Sequence, residues 1–300
     1  AGSVDAIIGF RAGWGLGNAL FISTALAAIV GAAAGNSGEA VILYEAAMGI
    51  GMAVGPLAGG VLGEISWRAP FYGTAALMAA GFVAIASLLQ KAKTKPEPVA
   101  FTAGLAAVKD PALLTLGLVA VFYNYGFFTL LAYSPYPIDR AAEQSGRAFG
   151  ATELGYVFFG WGLALALSSV FLAPRLVRAF GLMPVLVTIL TGFGINLAAL
   201  GFGVNNLEVV VALVILAGVF IGVFNTVLTE AVMEATEMPR NVASSSYSGM
   251  RFLGGAVAPA ASGPLAASLG AGVPYWFGAG SLVVSLAILF VGRKTLHRIL

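Results

Sequence analysis

The stretch Gly51–Gly60, with the sequence GMAVGPLAGG, decides how the rest of the chain is interpreted. It lies inside an apolar run from about Val41 to Leu62. Glycines recur at every fourth position, and on a helix such positions form one face without side chains. In water this face lowers helix stability, but in lipid it allows a second helix to pack backbone against backbone. Pro56 removes one backbone donor and is expected to bend the same helix.

The composition of the chain indicates a membrane protein. Hydrophobic residues make up 59% of the sequence and charged residues only 9%, whereas a soluble domain carries about a quarter charged residues. A soluble fold of this length cannot bury so much apolar surface, so the sequence predicts an all-α, polytopic protein in a lipid bilayer. The net charge of +2 gives no reason to expect a nucleic-acid partner.

Nine apolar stretches are long enough to cross a bilayer, which requires about 20 residues. They are 4–28, 40–63, 70–90, 112–134, 150–172, 183–203, 208–231, 243–267 and 274–292. A long polar connector that begins KAKTKPEPVA separates the third stretch from the fourth. We therefore divide the chain into residues 1–90, a cytoplasmic linker at 91–111, and residues 112–300.

The basic residues predict the orientation of the chain. One set of loops contains most of them: Lys91, Lys93, Lys95, Lys109, Arg175, Arg178, Arg240, Arg293, Lys294 and Arg298. The alternate loops contain Arg68, Arg140 and Arg147. Because cytoplasmic loops carry the excess of lysine and arginine, the sequence predicts a multi-pass cell-membrane protein with a cytoplasmic C-terminus.

The glycine-rich stretch recurs later in the chain at an offset of 203 residues. Its positions Gly51, Gly55, Pro56, Gly59 and Gly60 correspond to Gly254, Ala258, Pro259, Ser262 and Gly263. A second pair of segments, APFY at 69–72 and VPYW at 273–276, follows at nearly the same spacing. Repeats that recur in the same order indicate two related helical halves.

The pattern G-x-x-x-G-P-x-x-G-G at 51–60 matches motif C of the major facilitator superfamily, and the chain resembles its 12-helix drug:proton antiporters. The resemblance implies the major facilitator fold, with two six-helix halves. Six predicted spans follow the linker and three precede it, so the nine are expected to correspond to helices 4–12. The chain is then expected to lack the first three helices of a protein that is a monomer when full length.

Arg11 is the first ionisable residue predicted to lie inside a span, where a charge costs about 2.5–3.5 kcal/mol on insertion scales. Its context, RAGWGLG at 11–17, resembles motif B of the same superfamily, with Trp14 in place of the usual glutamine. The resemblance implies a role in proton coupling, in which the arginine tunes a neighbouring carboxylate. The alternative is a side chain that extends to the outer membrane surface.

Three further ionisable residues in predicted spans are candidates for proton coupling. Glu45 lies about two turns inside the second span and is the candidate for the titrating carboxylate; a structural acid bonded to a neighbouring helix is the alternative. Glu230 and Arg251 come from consecutive spans, and a salt bridge between them would close the cytoplasmic side. The alternative for Glu230 is an interfacial acid in water.

Aromatic residues with a few amides suit flat, lipophilic or cationic ligands. In the resembled fold, the first and fourth helices of each half line the central cavity, which here selects the first, fourth and seventh spans. The substrate-cavity candidates are Asn18, Asn124, Tyr125 and Asn225. The alternative is that the aromatic residues of these spans only pack or face lipid.

The resemblance implies proton-coupled efflux of small lipophilic or cationic molecules by alternating access, with a small-molecule substrate and protons as partners. A facilitator-type exporter of sugars or other metabolites shares the architecture and remains an alternative. The sequence holds no cysteine, and its one histidine, His297, lies outside the predicted spans. We therefore expect neither a metal nor a cofactor, and an intramembrane enzyme is disfavoured because its catalytic groups would have to lie at membrane depth.

Overall fold

The computed structural model describes residues 3–32, 37–88, 104, 107–238 and 240–296, and within these ranges it leaves out the side chains of 22–24, 26–32, 37–46, 48–49, 240–241 and 244. Every described element is helical. The α-helices are α1 (Val4–Ala32), α2 (Ser37–Ile65), α3 (Ala69–Leu88), α4 (Pro111–Tyr133), α5 (Pro135–Gln144), α6 (Ala151–Leu167), α7 (Ala173–Phe180), α8 (Leu182–Gly203), α9 (Leu207–Ala235), α10 (Arg240–Leu269) and α11 (Val273–Val291). A π-helical turn, Ser168–Leu172, joins α6 to α7, and a 3-10 helix, Gly292–Leu296, follows α11.

Seven helical stretches of the described chain are long and apolar enough to cross a membrane. They are Ala69–Leu88, Pro111–Tyr133, Ala151–Phe180, Leu182–Gly203, Leu207–Ala235, Ser245–Leu269 and Val273–Leu296, and a shorter apolar helix covers Ile50–Ile65. The predicted all-α, polytopic fold class is thereby confirmed. The count of nine spans stays a prediction.

The chain separates into two compact units. The first consists of residues 1–48 and 89–98, and the second of residues 49–88 and 99–300. In the first unit, α1 is a continuous helix whose described side chains are exposed or half-buried. The division into two halves at the linker stays a prediction.

The core of the second unit lies where α4 packs against α10 and α11, where α9 packs against α6 and α8, and where α8 meets α11. Hydroxyl groups connect some of these helices through backbone carbonyls. Ser281 and Ser285 of α11 donate to the carbonyl oxygens of Phe122 and Val119 on α4, each at 2.9 Å. Hydrogen bonds between transmembrane helices contribute about 0.6 kcal/mol each on average.

Asp110, near the end of the predicted linker, caps the start of α4. Its Oδ1 accepts from the backbone N–H groups of Ala112 and Leu113, each at 2.9 Å. Its Oδ2 accepts from the Thr236 hydroxyl at 3.0 Å, just beyond the end of α9. One carboxylate therefore satisfies two donors at a helix N-terminus and also connects that helix to the end of another.

The sequence prediction includes neither α5 nor the π-helical turn. The segment that forms α5 contains two prolines and several charged residues, which indicate a loop, but Pro135 occupies the first turn, where its missing N–H is harmless. One face of α5 buries Ile138, Ala141 and Ala142. The π-helical turn at Ser168–Leu172 lies inside a continuous apolar stretch. Hydropathy does not predict it, because a π-helical turn and an α-helical turn can have the same apolar composition.

Candidate functional site

The helix with the glycine-rich stretch packs closely against α6 within the second unit. A Cβ on Gly162 would lie 2.6 Å from the Cα of Ala53, and one on Gly155 would lie 3.2 Å from the Cα of Leu57. A Cβ on Gly60 would overlap the carbonyl oxygen of Ala151. The two helices therefore run antiparallel with their backbones in contact, as small residues permit in membranes.

This contact uses a different face of α2 from the one the glycine spacing predicts. Residues 51, 55, 59 and 63 form the predicted bare face. A Cβ on any of the first three would meet no described atom within 4 Å, whereas one on Gly63 would lie 3.3 Å from the Cβ of Ala151. The close contact lies on the face that carries Ala53, Pro56 and Gly60. α2 therefore packs backbone against backbone on α6, but it does so through a face next to the one that the glycine spacing predicts.

A shallow cleft lies along the same crossing. Its volume is about 270 Å³, and it is lined by Pro56, Gly59, Gly60, Pro135, Ala151, Leu154, Gly155 and Phe158. Its lining carries no ionisable side chain. The cleft therefore belongs to the packing of α2 on α6 and offers no group that could carry a proton or orient a charged ligand.

The amide candidates of the second unit are partly unsatisfied. Asn124 is fully buried; its Nδ2 donates to the carbonyl oxygen of Ala120 at 2.9 Å, while its Oδ1 has no partner in the described chain. The Oδ1 of Asn225, which is half-buried on α9, also lacks a described partner. Buried polar groups in native proteins are nearly always paired, so each exception calls for an explanation.

Several aromatic residues of the predicted spans form the core of this unit. The Tyr123 ring lies 4.0 Å from that of Phe224 and 5.9 Å from that of Phe193, measured between centroids. Phe127 stacks on Trp161 at 6.1 Å. These side chains pack against one another across α4, α6, α8 and α9, as the packing alternative predicted. Tyr125, the aromatic cavity candidate, remains half-buried.

Arg251 lies beside two aromatic rings of its own helix, α10. Its side chain is half-buried, and its Nε has no hydrogen-bond partner among the described residues. The guanidinium carbon lies 5.7 Å from the ring centroid of Tyr247 and 5.2 Å from that of Phe252. These distances are typical of cation–π contacts.

The structure does not form the salt bridge between Glu230 and Arg251. Glu230 is exposed on α9, and the ion pair found in the described chain is instead Arg147 with Glu208, at 3.0 Å between Nη2 and Oε1. Glu230 therefore agrees with the alternative of an interfacial acid. The Arg147–Glu208 pair is itself largely exposed and contributes about 0–1 kcal/mol.

The candidates of the first unit are only partly described. Arg11 is exposed on α1, and Asn18 is half-buried on the same helix. Glu45 lies in α2, but its side chain is outside the described residues. The proton-coupling and cavity roles of these three residues stay predictions.

Three polar residues of the second unit are not among the predicted site residues. The hydroxyl of Tyr123 is buried without a described partner. Tyr247 of α10 is almost fully buried, and the side chains of Thr229 and Arg251 lie next to its hydroxyl. Asn196 donates to the carbonyl oxygen of Leu213, while its Oδ1 is unpaired within the described chain. Hydropathy alone gives no signal for them, because each lies in an apolar stretch.

Comparisons with known proteins agree with this architecture. The family model of the major facilitator superfamily matches residues 1–140. The chain is 45% identical over 294 residues to the multidrug efflux protein YfmO of Bacillus subtilis, an alignment that covers 98% of this chain and 72% of that protein. It is 27% identical over 144 residues to the class C tetracycline resistance protein of Escherichia coli, which covers 46% of this chain and 36% of that protein.

The fold and the relatives lead to the same conclusion. The described chain is helical and rich in membrane-spanning segments, and small residues bring its helices together. The identity to the Bacillus protein extends over nearly the whole chain. The protein belongs to the major facilitator superfamily of membrane transporters.

Proposed function

We propose that this transporter exports small lipophilic molecules, including lipophilic cations, across the cell membrane in exchange for protons. The observation that carries the proposal is the 45% identity to a multidrug efflux protein over nearly the whole chain. The shorter match to a tetracycline resistance protein points in the same direction. The names of both relatives refer to drugs, one to multidrug efflux and the other to tetracycline resistance, and neither name refers to a sugar.

Alternating access is the proposed mechanism. Two helical halves expose one binding region first to the cytoplasm and then to the outside. Backbone contact between α2 and α6 supports the proposal, because closely packed helices with few side chains between them can slide with little rearrangement. The predicted linker at 91–111 would connect the halves on the cytoplasmic side.

Proton coupling requires an acid within the membrane whose protonation changes substrate affinity. Glu45 is the proposed acid, and Arg11 is the proposed cation that tunes it. Glu230 is exposed in the structure, and Arg251 has no described carboxylate partner. We therefore assign the coupling role to the first half, and propose that Asn124, Tyr125 and Asn225 contact the substrate.

Everted membrane vesicles provide the test. Tetraphenylphosphonium and a neutral lipophilic dye should accumulate only when a proton gradient is imposed, and collapse of the gradient should release them. Radiolabelled sugars form the comparison set for the facilitator alternative. Sugar export without dependence on the gradient, together with no movement of the dye or the cation, would replace efflux of lipophiles by the facilitator function.

A further inference from the structure

We propose that Arg251, Tyr123 and Tyr247 form a subsite for the negatively charged group of an aromatic substrate, a carboxylate or a chemically similar anion. We call these residues the Tyr–Arg cluster. The inference rests on the proposed export of lipophilic molecules and adds a charge preference to it. It would extend the substrates from neutral and cationic lipophiles to aromatic acids and zwitterions.

The first argument is the charge of Arg251. An arginine inside a membrane span normally pairs with a carboxylate or with backbone carbonyls. No acidic side chain of the described chain lies within 4.0 Å of the Arg251 guanidinium. The rings of Tyr247 and Phe252 lie beside it, and its Nε–H has no partner among the described residues. The positive charge is therefore not neutralised by the side chains described around it.

The second argument is the excess of donors around this charge. The Tyr123 side chain is 1% exposed, and its hydroxyl has no described partner. Tyr123, Tyr247 and Arg251 are close enough to interact electrostatically, and the side chains of Thr229 and Arg251 lie next to the Tyr247 hydroxyl. The unpaired donors are therefore the Tyr123 hydroxyl and the Arg251 Nε–H. Guanidinium groups only donate, and a phenol donates one hydrogen. An acceptor with several lone pairs and a negative charge is the group that satisfies such a set.

The third argument concerns shape. Phe252 beside the guanidinium is 42% exposed, and the arginine is itself half-buried, so a ligand can reach the guanidinium end of the cluster where α10 is exposed. A planar guanidinium binds carboxylates through two parallel hydrogen bonds and also stacks on aromatic faces. A flat aromatic body with an attached carboxylate uses both properties. A bare inorganic anion would use only the first.

The cost of leaving the Tyr123 hydroxyl and the Arg251 Nε–H unpaired supports a binding role over a structural one. A buried hydroxyl without a partner destabilises the fold, so a residue kept only for packing would be served as well by phenylalanine. The Tyr123 ring already packs against Phe224 and Phe193. Its hydroxyl adds nothing to that packing, which leaves interaction with a ligand as its use.

The test uses the full chain in lipid nanodiscs and a matched pair of probes, 4-(1-pyrenyl)butyrate and its methyl ester. Equilibrium dialysis should show that Arg251→Gln weakens binding of the acid by about 10-fold, because hydrogen bonds to charged groups are the strong ones. Binding of the ester should change by less than about twofold. Arg251→Lys should be intermediate, since it keeps the charge and loses the planar fork.

Tyr123→Phe serves as the second variant because removal of an unpaired hydroxyl does not endanger folding. It should weaken binding of the acid about threefold or more and leave binding of the ester unchanged. Arg147→Gln is the matched control: it removes the same charge from the exposed ion pair with Glu208. Both probes should bind this control as they bind the unaltered protein.

Three results would overturn the subsite: equal loss of acid and ester binding in Arg251→Gln, acid binding insensitive to Arg251→Gln, or an unaltered protein that prefers the ester. Export of tetraphenylphosphonium from vesicles is measured separately. Loss of that export, with the binding pattern intact, would contradict the proposed efflux function and leave the subsite standing. Normal export together with any of the three binding results would contradict the subsite and leave the proposed efflux function standing.

Discussion

A Cβ on Gly155 would lie 3.0 Å from the carbonyl oxygen of Pro56, so α6 passes directly over the proline of α2. The proline ring provides no N–H for the carbonyl oxygen of Met52, one turn earlier. That oxygen lies against Gly162, where a Cβ would come within 2.6 Å of it. The glycines of α6 thus fit a helix whose hydrogen bonding is interrupted at the point of contact.

Gly60→Ala should destabilise the protein, because the added methyl group overlaps the carbonyl oxygen of Ala151. We expect a loss of roughly 1–3 kcal/mol, as for other insertions into a closely packed site. The matched control is Gly59→Ala, where the methyl group meets no described atom within 4 Å. The free energy of unfolding of this variant should be unchanged or rise by about 0.5–1 kcal/mol, because alanine loses less backbone entropy than glycine on folding.

Thermal unfolding in detergent, followed by tryptophan fluorescence, measures both variants under the same conditions. If Gly59→Ala unfolds at a lower temperature than Gly60→Ala, the contact between α2 and α6 is assigned to the wrong face. The same result would favour the face that carries Gly51 and Gly55.

Asp110→Ala should lower stability by about 1–2 kcal/mol, the usual effect of removing an N-cap. The carboxylate accepts two backbone hydrogen bonds at the start of α4 and one from Thr236. Asp110→Asn keeps a side-chain oxygen that can accept from the backbone and should retain most of the stability. Chemical unfolding in mixed micelles compares these two with Asp139→Ala, which removes an exposed acid from α5. Equal stability of all three variants would show that the cap contributes nothing.

Glu45→Gln should abolish proton-driven efflux without loss of folded protein, since glutamine has a similar shape and does not titrate. The measurement is dye uptake by everted vesicles after an imposed proton gradient, normalised to the amount of folded protein. Glu64→Gln, at the exposed far end of the same helix, is the control and should transport normally. Uptake by Glu45→Gln at the rate of the control would remove Glu45 from the coupling mechanism.

The sequence predicts the long helices closely where polar or helix-breaking residues mark their ends. The predicted span 112–134 becomes Pro111–Tyr133, because Asp110 and Pro111 favour a helix start and Ser134 and Pro135 follow its end. Periodicity is less informative about partners. A glycine at every fourth position identifies a face without side chains. The spacing does not show which face meets α6, because Gly60, which makes the contact, follows Gly59 of the bare face by one residue.

The candidate site was harder to predict for a related reason. Nearly all side chains in these spans are apolar, so hydropathy does not distinguish a core aromatic from one that lines a cavity. Tyr123 packs in the core, whereas its neighbour Tyr125 remains half-buried. The sequence also identifies Arg251 as a charge inside a span that needs a partner, and it predicts Glu230 as that partner. In the structure Glu230 is exposed and forms no salt bridge with Arg251.

The internal repeat leads to a final prediction, because its two copies use different faces within the second unit. Gly254, the counterpart of Gly51, lies against the backbone of α4: a Cβ there would overlap the carbonyl oxygen of Val121. Gly263, the counterpart of Gly60, meets no described atom within 4 Å. Gly254→Ala should therefore destabilise the protein by roughly 1–3 kcal/mol, and Gly263→Ala should be nearly neutral. Unfolding of the two variants in detergent measures the difference. A larger loss for Gly263→Ala would mean that both copies pack through the same face and that the assignment of different faces is wrong.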